Sequence, residues 1–400
     1  MSAPTTARTE LFARVLAPEN RANPYPLYAE LRAQPVSQQA DGTWVVSGFD
    51  EISALLHDPR ISSDMDNADH ATRMDVQKSL LTQDPPNHDR LRRAVMTTFT
   101  PAVVESLRAD VRRMTDRLLD AVGSRTRVDV VDEIAYPLPV AVICALLGIP
   151  ERDEARFHGW ADTIARGLDL APTMSQSERD AIAHASTELT AYLAELTAQR
   201  AQRPGSDLIS GLISGGARSE ALTGEDLVIT TRLLLIAGHE TTANQIANFA
   251  YLLLSTPGQW EALRADPDLV PDAVEELLRY VQLGSGGAFA RVATEDVEVG
   301  GTTVRAGEAV FVNTQSANRD ESVFHDPAEL DLTRQHNPHI AFGHGVHHCL
   351  VAQLARVELQ VALGSLLNRF PRLRLAVPAE EIPWKTGLLV RGPVALPVIW

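Results

Sequence analysis

Cysteine is nearly absent from this chain: Cys144 and Cys349 are the only two in 400 residues. Cys144 lies inside the apolar run Val140–Leu147 and is expected in the core, whereas Cys349 sits among glycines and histidines. Two such different contexts exclude a disulfide framework and fit a reducing, cytoplasmic compartment. Long hydrophobic runs are missing as well. The opening decapeptide Met1–Glu10 has no apolar leader-like core, so no membrane anchor is expected. No internal repeat, low-complexity tract or linker divides the chain, and a single domain over residues 1–400 is expected, although length alone would allow two or three. Basic residues are the minority, 36 Lys and Arg against 52 Asp and Glu, for a formal charge of −16. That excess makes nucleic acid or an anionic membrane a poor partner for the surface as a whole. What is plentiful is apolar side chain, 44% of the residues, enough for a large core.

The most informative stretch is Phe342-Gly343-His344-Gly345-Val346-His347-His348-Cys349, followed by an expected helix over Leu350–Phe370. Two glycines let the backbone turn tightly and come close to a flat object. A cysteine at a helix N-terminus is biased toward the thiolate by unpaired N–H groups and the helix dipole. A lone anionic sulfur held this way suits an axial ligand to a haem iron. The alternatives are a buried small hydrophobe and a zinc site built from His344, His347, His348 and Cys349. A core cysteine needs no turn-rich, His-rich approach. The histidines next to Cys349 project in different directions and lack the spaced pairs of a structural zinc site.

The rest of the chain reads as mostly helical with small sheets. Helices are expected over Asn23–Arg32, with Pro26 near the first turn, and over Phe49–His57. Long helical stretches follow from Asn87 to Gly148 and from Glu151 to Arg203. Residues Ile61–Gln83 are polar and weakly periodic, a long loop with one short helix. Thr223 is an expected N-cap, with Glu225 and Asp226 in the first turn of a run to Ser255. That run would span roughly 50 Å. Leu233–Ala237 is apolar on every face, placing the run inside the protein, while Arg232, His239 and Glu240 exclude a membrane span. Strand patterns appear in Trp44–Gly48, Val297–Val299, Thr302–Val304, Val310–Val312 and Leu388–Val398.

Phe-Gly-x-Gly-x-His-x-Cys resembles the haem-binding loop of the cytochrome P-450 superfamily, and the resemblance spans nearly the whole chain. It implies the mainly helical fold of that family, with haem b held between the long central helix and the cysteine-loop helix and its iron ligated by Cys349. The resemblance places Phe342 and Gly343 in the haem-binding loop. His88 and Arg92, in Asn87-His-Asp-Arg-Leu-Arg92, match a His-x-x-x-Arg pair that holds haem propionates, and Arg291 and His347 match two further propionate contacts. Glu240-Thr241, in Ala237-Gly238-His239-Glu240-Thr241-Thr242, matches the acid–alcohol pair. There Glu240 would relay protons, and Thr241 would steady the oxygen ligand. Read without the family, Thr241 would only back-bond within its helix. Glu276 and Arg279, at i,i+3, match a buried structural pair, with Arg334 its third member. The chain departs from the family at Val351, where Gly or Ala is usual. A β-branched side chain there would press on the proximal haem face or shift the helix.

By the same resemblance the chain is a soluble monooxygenase of actinobacterial type. It would insert one oxygen atom from O2 into a C–H or C=C bond, with electrons from a separate ferredoxin and its NAD(P)H-dependent reductase. The expected pocket is lined by Ile61–Leu81, Leu234, Ala237, Gly238, Thr242, Gly286, Ala288, Phe289, Leu388 and Leu389. The small run Gly284–Phe289 leaves room for a bulky apolar substrate such as a macrolide, polyketide or terpenoid. Residues 88–127 hold nine Arg and five acids, a net of +4 in an acidic chain. They form either a solvated face or a docking surface for an acidic ferredoxin. Two rivals stand beside it: a peroxide-driven hydroxylase or decarboxylase, in which the acid–alcohol pair would be replaced, and a non-catalytic haem-binding recruitment module of the same fold.

Overall fold

The computed structural model describes residues 11–69, 78–97, 99–167, 174–215, 221–222, 224–281, 283–284, 290–385 and 390–400. Among these, the helices of eight or more residues are, in chain order, α1 (Tyr25–Arg32), α2 (Phe49–His57), α3 (Asn87–Met96), α4 (Arg108–Val122), α5 (Pro137–Leu147), α6 (Glu154–Gly167), α7 (Gln176–Gln202), α8 (Gly224–Ser255), α9 (Val270–Tyr280) and α10 (Ala352–Arg369). The strands are β1 (Val36–Gln38), β2 (Trp44–Val46), β3 (Ile61–Ser62), β4 (Arg127–Asp129), β5 (Ala290–Ala293), β6 (Val297–Val299), β7 (Thr302–Val304), β8 (Ala309–Val312), β9 (Arg374–Leu375) and β10 (Pro397–Ile399). Two compact units share the chain: Met1–His88 with Glu275–Leu350, and Asp89–Val274 with Val351–Trp400.

The first unit is organised by a five-stranded sheet in the order β1-β2-β8-β5-β3. β2 and β8 run parallel, with Trp44 opposite Val310 and Val46 opposite Val312, and the other pairs are antiparallel. Val46, Ile52, Ala293 and Val310, each fully buried, close a core between sheet and α2. Alternation reveals a strand only when one face is wet, and this explains what the sequence missed. Ala290–Ala293 is buried at three of its four positions and carries an arginine, so β5 shows no period-two signal.

In the second unit α8 is the central element, packed against α5, α6, α7 and α10. Every residue from Thr242 to Ala250 is buried, including Asn244, Gln245 and Asn248. Asn248 Nδ2 donates to the Arg391 carbonyl at 2.9 Å, satisfying a polar group that would otherwise oppose burial. α5 is apolar on most faces. It starts with Pro137 in its first turn and stops at Gly148, which takes φ +70° so that the Gly148 and Ile149 amides can close back on Ala145 and Cys144. Cys144 is fully buried, and burial, with a smaller push from Glu154, raises its thiol pKa to about 12. A Ser175–Glu178 capping box starts α7.

Several expected boundaries shift. The first helix begins at Tyr25, because Pro24 occupies the cap. The expected C-terminal strand shrinks to β10, paired with β4 and β9, and Leu388 and Leu389 lie outside the described residues. Asn87–Gly148 is interrupted by β4 and a π-helical turn at Val131–Ala135. Thr223 lies outside the described residues, with α8 described from Gly224. No described helix is long and apolar enough to cross a membrane.

Candidate active site

The cysteine loop is shaped by its glycines. Gly343 and Gly345 take φ of +73° and +68°, a region that costs any residue with a Cβ. At Gly345 the demand is double, because a Cβ there would collide with the Leu56 carbonyl at the end of α2. The next residues make one 3-10 turn, Gly345–His347, and the Cys349 amide donates to the Phe342 carbonyl at 2.8 Å, closing the loop. His344 packs edge-on to His57 with ring centroids 4.4 Å apart. Burial, then the neighbouring His57, lowers its pKa.

The helix after the loop begins at Ala352, with Val351 as its N-cap at φ −106°, ψ 22°. Expectation and structure differ here by two residues. Val351 stands outside the first helical turn, where β-branching would be costly, and its carbonyl accepts the Ala355 amide at 3.0 Å.

Around this loop the first unit gathers basic groups. His88 is completely buried, and its ring lies 4.4 Å from that of His347. Arg291, on β5, has its pKa lowered by burial and opposed only by the charge of Asp84. Asp84 is engaged elsewhere, accepting from the Ser62 hydroxyl and, at 2.8 Å, from the Ser63 amide. Arg291 makes no ion pair among the described residues. A guanidinium desolvated without a hydrogen-bonded carboxylate calls for an anion. Arg92 lies one turn beyond His88 on α3.

Glu276 and Arg279 on α9 are both buried, their side chains entirely so. Arg279 Nε and Nη2 each meet a Glu276 carboxylate oxygen at 2.7 Å. The remaining guanidinium hydrogens go to the carbonyls of Asn318 and Pro327 at 3.0 Å and of Glu329 at 3.2 Å. Arg334 Nε adds a contact to Glu276 at 3.1 Å, and the Asp331 amide another at 3.0 Å. One carboxylate thereby pins α9 to the segment 318–334 that precedes the cysteine loop.

In the second unit, α8 has one open face in its buried middle. Ala237 is exposed and Thr241, one turn on, partly so, while Leu234, His239 and Thr242 are buried. Gly238 faces Ile143 of α5, and an added Cβ would sit 3.8 Å from it in ordinary contact. Packing therefore does not demand that glycine. The Thr241 hydroxyl donates to the Ala237 carbonyl at 2.7 Å, which commits its proton and leaves its lone pairs to accept. Gly286, Ala288, Phe289 and Leu388, expected in the pocket, lie outside the described residues.

Glu240 is held by groups that the sequence does not single out. Both carboxylate oxygens accept from the Tyr136 hydroxyl at 2.8 Å, Lys385 Nζ approaches one at 2.7 Å, and Asn244 Nδ2 donates at 2.9 Å. Lys385 also contacts the Tyr136 hydroxyl and lies 4.8 Å from that ring's centroid. Burial alone would raise the Glu240 pKa. The Lys385 ammonium and the hydrogen bonds from Lys385 and Tyr136 outweigh it, so the carboxylate stays ionised. For the same reasons, burial first and Glu240 second, the Tyr136 phenol is pushed well above its usual range.

Residues 36–391 match the family model for cytochrome P450. The chain belongs to the cytochrome P450 family. It is 47% identical over 391 residues to nocardicin C N-oxygenase of Nocardia uniformis subsp. tsuyamanensis, covering 94% of this chain and 95% of the relative. It is 41% identical to mycinamicin IV hydroxylase/epoxidase of Micromonospora griseorubida, covering 93% and 94%. Among solved structures, the LnmA cytochrome P450 hydroxylase from the leinamycin pathway of Streptomyces atroolivaceus superposes with a TM-score of 0.86 at 43% identity, covering 94% and 96%. This P450 is therefore a monooxygenase whose cofactor is haem ligated by a cysteine thiolate, and Cys349 is the cysteine of its haem loop.

Proposed function

We propose that this P450 inserts one oxygen atom from O2 into a C–H or C=C bond of a bulky apolar secondary metabolite of the macrolide, polyketide or terpenoid kind. The observation that carries this reading is the intact Glu240–Thr241 pair, with Glu240 held ionised and Thr241 on the open face of α8. The bound haem supplies the chemistry that activates dioxygen and attacks the substrate. The chain supplies the rest. Cys349 would give the iron an anionic sulfur, while Arg291, His88, His347 and Arg92 would offer donors to the propionates. Thr241 accepts a hydrogen bond on the open face, and Glu240 hands protons toward it. Glu276, Arg279 and Arg334 hold the approach to the cysteine loop. The whole chain, 1–400, is taken as one such domain. Relatives that act on mycinamicin IV and in leinamycin biosynthesis support the substrate class.

Titrating the ferric holoenzyme with a panel of macrolides, polyketides, terpenoids and fatty acids tests it. Macrocyclic or polycyclic apolar compounds are expected to shift the Soret band by displacing water. A response confined to small fatty acids would sink the substrate class.

Electrons are proposed to come from a separate ferredoxin in the cytoplasm. Much of the basic segment is already paired: Arg108 with Glu105, Arg113 with Asp110, Arg125 with Glu133 and Arg90 with Asp226. Arg112 is exposed and makes no ion pair among the described residues. Arg112→Ala is accordingly expected to slow reduction by ferredoxin several-fold at low salt, with the difference fading as ionic strength rises. Stopped-flow reduction rates independent of this residue at every salt concentration would mark the segment as a solvated face.

A further inference from the structure

His239 stands beside Glu240, yet its side chain leaves on a different face of α8 and plays no part in the site so far described. Its residue is 1% exposed, and neither ring nitrogen has a hydrogen-bond partner among the described residues. An imidazole buried with both nitrogens unsatisfied is costly, which makes it a candidate for a role other than packing. Two rings flank it. Tyr136 is edge-on at a centroid distance of 5.4 Å, and His158 of α6 lies at 5.8 Å. Tyr136 and His158 are themselves 6.0 Å apart, so the three rings form a triangle. At one corner the Tyr136 hydroxyl is bonded to the Glu240 carboxylate. At another, His158 is only partly buried and reaches the side of α6 that meets solvent.

We propose that His158 and His239 form the route by which protons from solvent reach Glu240. This rests on the reading of Glu240 as the proton-delivering acid. With ring centroids 5.4 to 6.0 Å apart, a small opening of this cluster that admits one water would complete the path. A proton enters one nitrogen of neutral His239 while the proton on the other nitrogen leaves toward Tyr136 and Glu240. Only N–H and O–H bonds form and break, the proton comes from water, and the ring ends neutral as the other tautomer.

The charges around the path suit this direction. Asp162 on α6 and Glu240 favour a cation on His239, while His158 and Lys385 oppose it. Asp132 of the Val131–Ala135 turn feels the charge of His158 at the outer end. Burial dominates and lowers the His239 pKa to about 4. The imidazolium is therefore a short-lived carrier rather than a trap. Lys385 pairs with Glu240 and keeps the acceptor ionised.

The test uses the holoenzyme with NADPH and a plant ferredoxin and its reductase, dioxygen being the probe. His158→Gly, at a partly exposed position, and His239→Asn are compared with wild type and with Glu240→Gln. Both histidine variants are expected to slow dioxygen consumption by on the order of tenfold. They should also raise its solvent deuterium isotope effect and steepen its pH profile. A second reading is free of turnover: in 15N-histidine-labelled, carbon-monoxide-bound protein, His239 ring protons should exchange with water rapidly and the ring should stay neutral to below pH 5. Histidine variants with wild-type isotope effect and pH profile, while Glu240→Gln is impaired, would overturn the relay and leave the acid in place. No effect of Glu240→Gln would overturn both. Slowly exchanging His239 ring protons would overturn the relay on their own.

Discussion

Glu276→Ala is expected to lower the stability of this P450 by about 3–5 kcal/mol, because it removes one partner from a fully buried charge network. Both side chains of the Glu276–Arg279 pair have no solvent exposure. Removing the carboxylate leaves the Arg279 guanidinium desolvated, with three carbonyls and no counter-charge. It also frees Arg334 and the Asp331 amide, so the segment before the cysteine loop loses its anchor along with its energy. Glu276→Gln keeps the shape but not the charge, and should recover little of the loss, since neither guanidinium regains a carboxylate. Urea unfolding monitored by far-UV circular dichroism measures this. A change below about 1 kcal/mol would put the pair among exposed ion pairs of little worth and contradict the burial seen here.

The second large effect is spectroscopic. Dithionite-reduced wild-type protein with carbon monoxide is expected to show the strongly red-shifted Soret band of a thiolate ligand, and Cys349→Ser to lose it completely. Serine keeps the size and the loop's hydrogen bond from its amide to Phe342, yet offers no thiolate at neutral pH. The wild-type band also reports on Val351. Because Val351 caps α10 instead of entering its first turn, Val351→Gly should leave the band position unchanged. Wild-type protein that binds haem and shows only the shorter-wavelength band would mean that the proximal loop does not deliver the thiolate.

Legibility follows the range of the interaction. Phe49–His57 is read correctly to the residue because its signal is local, a glycine cap before it and an apolar stripe within it. The β6–β7 pair is legible for the same reason, with alternating residues and two glycines at positive φ between them. β5 is not, since a strand buried on both faces has no period to read. The Glu276–Arg279 spacing was visible, but an i,i+3 pair says nothing of its own burial. Only the fold removes it from water.

What the sequence by itself determined is the chemistry that sits within a few residues: the glycine-shaped cysteine loop, the adjacent acid and alcohol on one helix, the helix starts and stops, and through them the family. Tertiary structure alone decided the state of those groups. Glu240 is ionised because Lys385, 145 positions away, and Tyr136, 104 positions away, converge on it. Arg291 wants an anion because Asp84, the carboxylate whose charge it feels, is committed to Ser62 and Ser63. His239 becomes a carrier because α6 places His158 beside it. The physical reason is common to all three. A side chain's charge depends on which groups replace its water, and those groups are chosen by how distant segments pack.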